Sequence, residues 1–378
     1  MQRIFKNHDW LRRILLMAII TPFVLLWGEV FTKTLLPQNV DPKMDIFISD
    51  PYIGIKYKPN SWAYEKGKEY KAPYQINSLG LRDREYGLKK EGVFRILLLG
   101  DSFSVSHGLP IEESLSRQME RALQQLADND GLKVSFEVIN ASVGGYSPYN
   151  YYKAYGHWAP IIKPDAVLVG LSPDDYEKTN DNVPVKRKPE VGERLSGKKI
   201  RKWLSWNSEF YILMRNFFYY NDLVGRIIQW LSPGGIETED KLNLYIVSHM
   251  KDLKKVWAQA FFHLRNLKKE TAADDRPLAL IPIPLKMEID NNQYQQVLKT
   301  KGLKSILIDL DQQLREITIF CKSENIPVLD PRPALRERNA RVQCYFVYDG
   351  HWNAEGIRVA ADSIARQWRN LRIQPWLF

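Results

Sequence analysis

Short, nearly unbroken apolar runs separated by amphipathic segments constrain this chain most. "FRILLL" (94–99), "VSFEVI" (134–139), "DAVLVGL" (165–171), "PLALIPI" (277–283) and "NIPVLD" (325–330) are each the length of a strand. A strand with one wet face alternates polar and apolar residues, whereas continuous runs suit strands buried on both faces of a parallel sheet. Between the first two runs, Leu115, Met119, Ala122, Leu123 and Leu126 recur at helical spacing, and Ile357, Ala360, Ala361, Ile364 and Trp368 do the same near the C-terminus. This alternation predicts an α/β domain, with three αβα layers around a mostly parallel sheet of about five strands.

The N-terminus carries a different signal. Arg3, Lys6, Arg12 and Arg13 precede an uncharged run from Ile14 to Gly28, which extends through Val30, Phe31 and Leu35 if Glu29 sits near the far interface. The expectation is a basic cytoplasmic tail (1–13) and an uncleaved signal anchor (14–36), with the remainder sent across the membrane. A cleaved signal peptide and a buried helix are the alternatives, but no small-x-small site follows Trp27. Residues 37–92 read as a lead-in of loops and a hairpin, and 93–378 as the main domain. An insertion at about 183–275 interrupts that domain, with a basic stretch ("VKRKPEVGERLSGKKIRKW") before an aromatic-rich helical one. It is expected to pack as a helical layer on the sheet's flank, with a lid or a membrane- or polymer-facing surface as the alternative.

The net charge of +10 favours anionic surfaces. Nucleic acid is not expected as a partner, because no zinc-finger spacing, basic zipper or RNA-binding aromatic signature occurs. Cys321 and Cys344 are the only cysteines, and either one disulfide or two buried thiols fits them. With six scattered histidines they offer no zinc-ligand spacing. No metal or cofactor is expected.

The chemistry centres on Gly100-Asp101-Ser102, where the first apolar run stops at a strand's carboxyl end, the usual place for ligands in such sheets. Ser102 or Ser104 caps the following helix on one reading, and Ser102 is a nucleophile on the other. G-x-S-x-G, the Rossmann fingerprint and the Walker loop are all absent. A serine hydroxyl needs a base within hydrogen-bond reach and a group to orient that base. Asp349 and His351, in "YFVYDGHWNAEG", stand two residues apart before an amphipathic helix that Asn353 can cap, so both side chains can point to one side of an extended loop.

With these residues the chain resembles the SGNH (GDSL-type) esterase and acetyltransferase superfamily in its membrane-anchored bacterial form. Four blocks carry the resemblance: "LLLGDSFS", "VINASVGGYSP", the end of "DAVLVGL", and "DGHWN", over roughly residues 50–182 and 277–368; "INSLGLRD" also resembles the segment before GDS in the anchored subgroup. The resemblance implies Ser102 as nucleophile, His351 as base and Asp349 as its orienting acid. It places Ser142 at the family's oxyanion glycine and Asp174, in "LSPDDYEKTNDN", at its oxyanion asparagine. An ionised aspartate there would repel an oxyanion. Either Asp174 is held protonated, or Asn180 or Asn182 replaces it, or the oxyanion hole is weak. Alginate-type O-acetylation proteins resemble the same superfamily with Asp-x-His ahead of the serine; here Ser102 comes first.

The implied protein is a serine esterase or O-acyltransferase acting on an acylated glycan of the envelope. It would sit as a single-pass protein in the bacterial inner membrane with its catalytic domain outside, with a membrane acyl donor as a possible partner. A non-catalytic glycan-binding or scaffold module of a polysaccharide assembly system is the alternative.

Overall fold

The computed structural model describes residues 9–36, 46–67, 69–176, 204, 207–220, 243–247, 250–301 and 304–372. The chain divides into two compact units, Met1–Met44 with Lys186–Pro233, and Asp45–Val185 with Gly234–Phe378.

The larger unit is built on four parallel strands. The first, β5 (Val93–Leu99), is central, with β6 (Ser135–Asn140) on one side and β7 (Ala166–Leu171) then β8 (Leu278–Pro282) on the other. Each pairs in parallel with its neighbour, as Leu98↔Asn140, Leu98↔Leu168 and Val169↔Leu280 show. The α/β architecture thus follows the apolar runs. Ile96, Leu97, Leu98, Val167, Leu168, Val169, Leu280 and Ile281 have no accessible surface, as strands covered on both faces require.

The fifth run does not become a full strand: "NIPVLD" makes an isolated parallel bridge, Leu280↔Val328. Pro327 explains this, since its carbonyl accepts from Leu280 N but it has no N–H to extend the ladder. The two helices that the spacing predicted form as Leu115–Asn129 and Ala354–Asn370, and they pack against each other. Of the expected insertion, helix Met250–Ala273 packs on helix Pro148–Ile162 and buries Trp257, Ala260, Leu264 and Leu267. The aromatic-rich stretch named in the sequence reading contributes helix Glu209–Tyr220, which belongs to the smaller unit. The basic stretch 185–203 lies outside the described residues. Cys321 and Cys344 are separate buried thiols, and burial pushes them up to about 12 and about 11.

The lead-in is more ordered than expected. It forms two antiparallel hairpins, β1 (Phe47–Asp50) with β2 (Gly54–Tyr57) and β3 (Trp62–Lys66) with β4 (Lys71–Gln75). "INSLGLRD" ties it to the domain. Asn77 Oδ1 accepts from Leu79 N and Leu81 N, while buried Arg82 donates to the carbonyls of Val105 and Leu109. Asp83 accepts from Asn140 N at the end of β6. The motif therefore clamps the loops that follow β5 and β6.

In the smaller unit, helix Asp9–Leu35 contains a 24-residue stretch, Arg12–Leu35, with an 18-residue window of mean hydropathy 2.2, long and apolar enough to cross a membrane. Glu29 on it accepts from Ser208 Oγ and from the amides of Glu209 and Phe210, so it caps helix Glu209–Tyr220. Phe210 lies against Gly28, where a Cβ would come within 2.9 Å of the ring.

Candidate active site

Strand β5 ends at Gly100, and the chain turns into a one-turn helix, Ser102–Val105. Asp101, rather than Ser102, caps it: its Oδ1 accepts from Phe103 N, and its Oδ2 accepts from Ser172 Oγ after β7. The cap reading of Ser102 is thereby removed, because a neighbour fills that role. Ser104 points down between two strands. A Cβ on Gly100 would come 2.1 Å from Ser104 Oγ, and one on Gly170 2.2 Å. Glycine is required at both places, and the spacing of "LLLGDSFS" reflects that close approach.

Asp349 and His351 occupy a loop closed by the antiparallel bridge Tyr345↔Trp352 and by Phe346 N donating to His351 O. Asn353 caps the following helix through Gly356 N, as expected. Glu69, from the β3–β4 turn, accepts from Val347 N and Tyr348 N, and Lys286 Nζ donates to the carbonyls of Phe346 and Val347. The loop is thus gripped by a carboxylate on its donors and an ammonium on its acceptors.

The structure brings the three predicted residues together. Ser102 Oγ lies 2.8 Å from His351 Nε2, and His351 Nδ1 bonds Asp349 Oδ1, which also accepts from His351 N at 3.0 Å. Asp349 Oδ2 accepts from Tyr70 Oη at 2.7 Å. Burial alone would raise the Asp349 carboxyl. The bond and charge of the imidazole, the Tyr70 hydroxyl and the His351 amide outweigh burial and hold it well below the usual carboxylate range. Phe103 packs on the imidazole with ring centroids 4.5 Å apart.

The oxyanion side differs from the expectation. Ser142 is buried, its amide donates to Asn140 Oδ1 at 3.0 Å and its hydroxyl faces Leu98 O. Its N–H is therefore committed to the β6 turn. Gly144 lies next to the nucleophile instead, for a Cβ there would be 3.8 Å from Ser102 Cβ. Asp174 falls in the short 3-10 helix Pro173–Tyr176, with its side chain outside the described residues, as are Asn180 and Asn182. Its neighbour Asp175 is buried and accepts from Tyr151 Oη and Ser172 N.

Three residues at the site escaped the sequence reading: Tyr70, Glu65 and His107. All involve the charged turn "YEKGKEYK" or the residues just past the GDS helix. Period-two alternation was the available signal, since it places Glu65 on the same face of β3 as Ala63, and both are buried.

Residues 251–375 match a family model described as an SGNH hydrolase-like domain, acetyltransferase AlgX. The matched block holds Asp349 and His351 but not Ser102. The match thus falls on the alginate-type group from which the serine-first order separated this chain, over the acid–base block. Among solved structures, "Crystal Structure of TesA" is 14% identical, covers 73% of this chain and 99% of that chain, and has a TM-score of 0.37. An acetylxylan esterase from Geobacillus stearothermophilus, Axe2, is 12% identical over 72% of this chain and 93% of its own, with a TM-score of 0.40. No curated protein matches the chain. The C-terminal third of the chain is thus similar to an SGNH hydrolase-like domain, and the structure brings its Asp349 and His351 to Ser102 at the end of a parallel sheet.

Proposed function

We propose that this protein is a membrane-anchored serine esterase or O-acyltransferase that acts on ester-linked acyl groups, acetyl above all, of a cell-envelope glycan. The 2.8 Å contact between Ser102 Oγ and His351 Nε2, with Asp349 behind the ring, carries the reading. His351 takes the Ser102 proton as Oγ attacks the acyl carbonyl, and Asp349 holds the imidazole with its free nitrogen toward the serine. The alcohol leaves with the proton from His351, and an acyl-serine remains. Water as acceptor gives hydrolysis and a sugar hydroxyl gives transfer; the first half-reaction is common to both.

The helix Arg12–Leu35 supports anchorage, and the positive residues before it favour a cytoplasmic tail with the catalytic unit outside, in a bacterial inner membrane. The net charge of +10 suits an acidic polysaccharide, and a membrane protein that delivers the acyl group is the natural partner for transfer. The commitment of the Ser142 amide favours a second reading, a non-catalytic glycan-binding or scaffold module, because it removes an expected oxyanion donor.

The full-length chain in detergent separates the two with an aryl acetate and a serine-directed fluorophosphonate. Turnover and labelling that both vanish in Ser102→Ala are expected. A wild-type protein that neither turns over nor is labelled overturns the enzymatic reading in favour of the scaffold.

A further inference from the structure

The acyl-serine scheme leaves His107 unused, although it stands at the nucleophile. Past the one-turn helix, Ser106 (φ 64°) and Gly108 (φ 75°) adopt left-handed backbone, which folds the chain back on itself. The His107 ring then lies between two partners. On one side its Nδ1 meets Glu65 Oε1. Glu65 is 1% exposed, and its Oε2 accepts from Gly108 N at 3.1 Å. On the other side, a Cβ on Gly144 would come 3.7 Å from His107 Nε2 and 3.8 Å from Ser102 Cβ. The His107 and His351 ring centroids are 5.0 Å apart. Nε2 of His107 therefore borders the same small volume as the nucleophile and Gly144.

That volume is where the acyl-serine scheme develops an oxyanion, which the Ser102 backbone amide can meet and which a side-chain donor would stabilise further. The position that the family resemblance gives to a donating asparagine holds Asp174, and the Ser142 amide is spent on Asn140. A buried carboxylate against Nδ1 keeps a proton there and balances a positive ring. We propose that His107, paired with Glu65 and protonated on both nitrogens, is a further catalytic residue that donates from Nε2 to the oxyanion formed when Ser102 attacks an acyl ester. This rests on the acyl-serine reading. As Oγ bonds to the carbonyl carbon, its proton passes to His351 and the carbonyl π pair moves onto oxygen, where the His107 N–H meets it. On collapse the pair returns, the ester C–O bond breaks, and the leaving alkoxide takes the proton from His351. His107 ends as it began.

The test uses the full-length chain in detergent, with aryl acetate turnover, thermal melting and inhibition by phenylboronic acid, whose serine adduct places a negative oxygen in the oxyanion position. His107→Phe is expected to lower kcat about 100-fold with KM nearly unchanged, and His107→Asn, which keeps a donor, to recover about tenfold of that loss. Boronate affinity should fall in step with kcat. A merely structural His107 would lower the melting temperature without separating Asn from Phe. Should the phenylalanine variant not fold, His107→Asn decides alone: unchanged kcat or unchanged boronate affinity overturns the proposal. Activity in His107→Phe within about threefold of wild type, beside an inactive Ser102→Ala, overturns this inference and leaves the acyl-serine reading standing. Failure of wild type to turn over or to be labelled overturns both.

Discussion

Two histidine–carboxylate pairs flank Ser102, and they are built in opposite ways. Asp349 and His351 sit two residues apart on one gripped loop, and their side chains are 28% and 20% exposed. Glu65 and His107 come from a lead-in hairpin and from the turn after the GDS helix, and the Glu65 side chain is 1% exposed. The first pair suits a group that must shuttle a proton. Its carboxylate is partly solvated and is held ionised by the His351 ring, by Tyr70 and by the His351 amide, so it stays charged behind the imidazole. A carboxylate as buried as Glu65 needs a permanent partner, which suits a fixed dipole or charge rather than a shuttle. Placement near a serine therefore does not define a base; solvation and backing do.

The sharpest way to break the comparison is to exchange the roles. His351→Ala or Asp349→Asn should cost about 10⁴-fold in kcat, through loss of the base or of its tautomer, with the fold retained. Glu65→Gln keeps size and acceptor capacity toward Gly108 N but removes the charge beside His107. It should cost about 30-fold, because the ring then favours its neutral form and Nε2 ceases to donate. Aryl acetate turnover at neutral pH checks both. If Glu65→Gln costs as much as Asp349→Asn, the two pairs form one proton-transfer system, and the division of labour drawn here fails. If Glu65→Gln costs nothing, the second pair is a tie in the fold.

The same contrast explains what could be read from the sequence. The sheet was legible because burial on both faces writes itself as continuous apolar runs, and only Pro327 spoiled the fifth. The cluster of Ser102, His351 and Asp349 was legible because GDS ends such a run and Asp349 stands two residues from His351. Glu65 was not. It lies 42 residues before His107, in a lysine-rich turn that reads as solvated charge, and hairpin pairing (Glu65↔Ala72, Ala63↔Tyr74) is what turns it inward. Tyr70 was hidden in the same way, since its partner Asp349 is 279 residues distant. The Ser142 expectation missed because family position names a residue, whereas the N–H that matters depends on local turns. Asn140 Oδ1 captures the Ser142 amide two residues on, a short-range competition of the kind asparagine commonly enters.

The lead-in hairpin supports both pairs, so milder changes there sharpen the comparison. Tyr70→Phe removes one donor from Asp349 Oδ2 while the ring still packs against Phe346, 4.9 Å between centroids. A fall of about fivefold in kcat is expected, equivalent to ~1 kcal/mol, because the imidazole and the His351 amide still hold Oδ1. A fall approaching that of Asp349→Asn would mean that Tyr70, not His351, sets the carboxylate's position.

The smallest effect concerns acid stability, and its sign follows from Asp349 being held below the usual carboxylate range. The native state then binds fewer protons than the unfolded chain in mild acid, so ionised Asp349 contributes stability that is complete above its unfolded value, roughly 4, and is lost as pH falls toward the folded value. Asp349→Asn has no such proton to bind. The gap in melting temperature between wild type and Asp349→Asn should therefore be steady at neutral pH and narrow as the solution is taken below about pH 4. A gap of the same width at pH 7 and at pH 3 would mean that the Asp349 charge adds nothing to the stability of the loop that carries it.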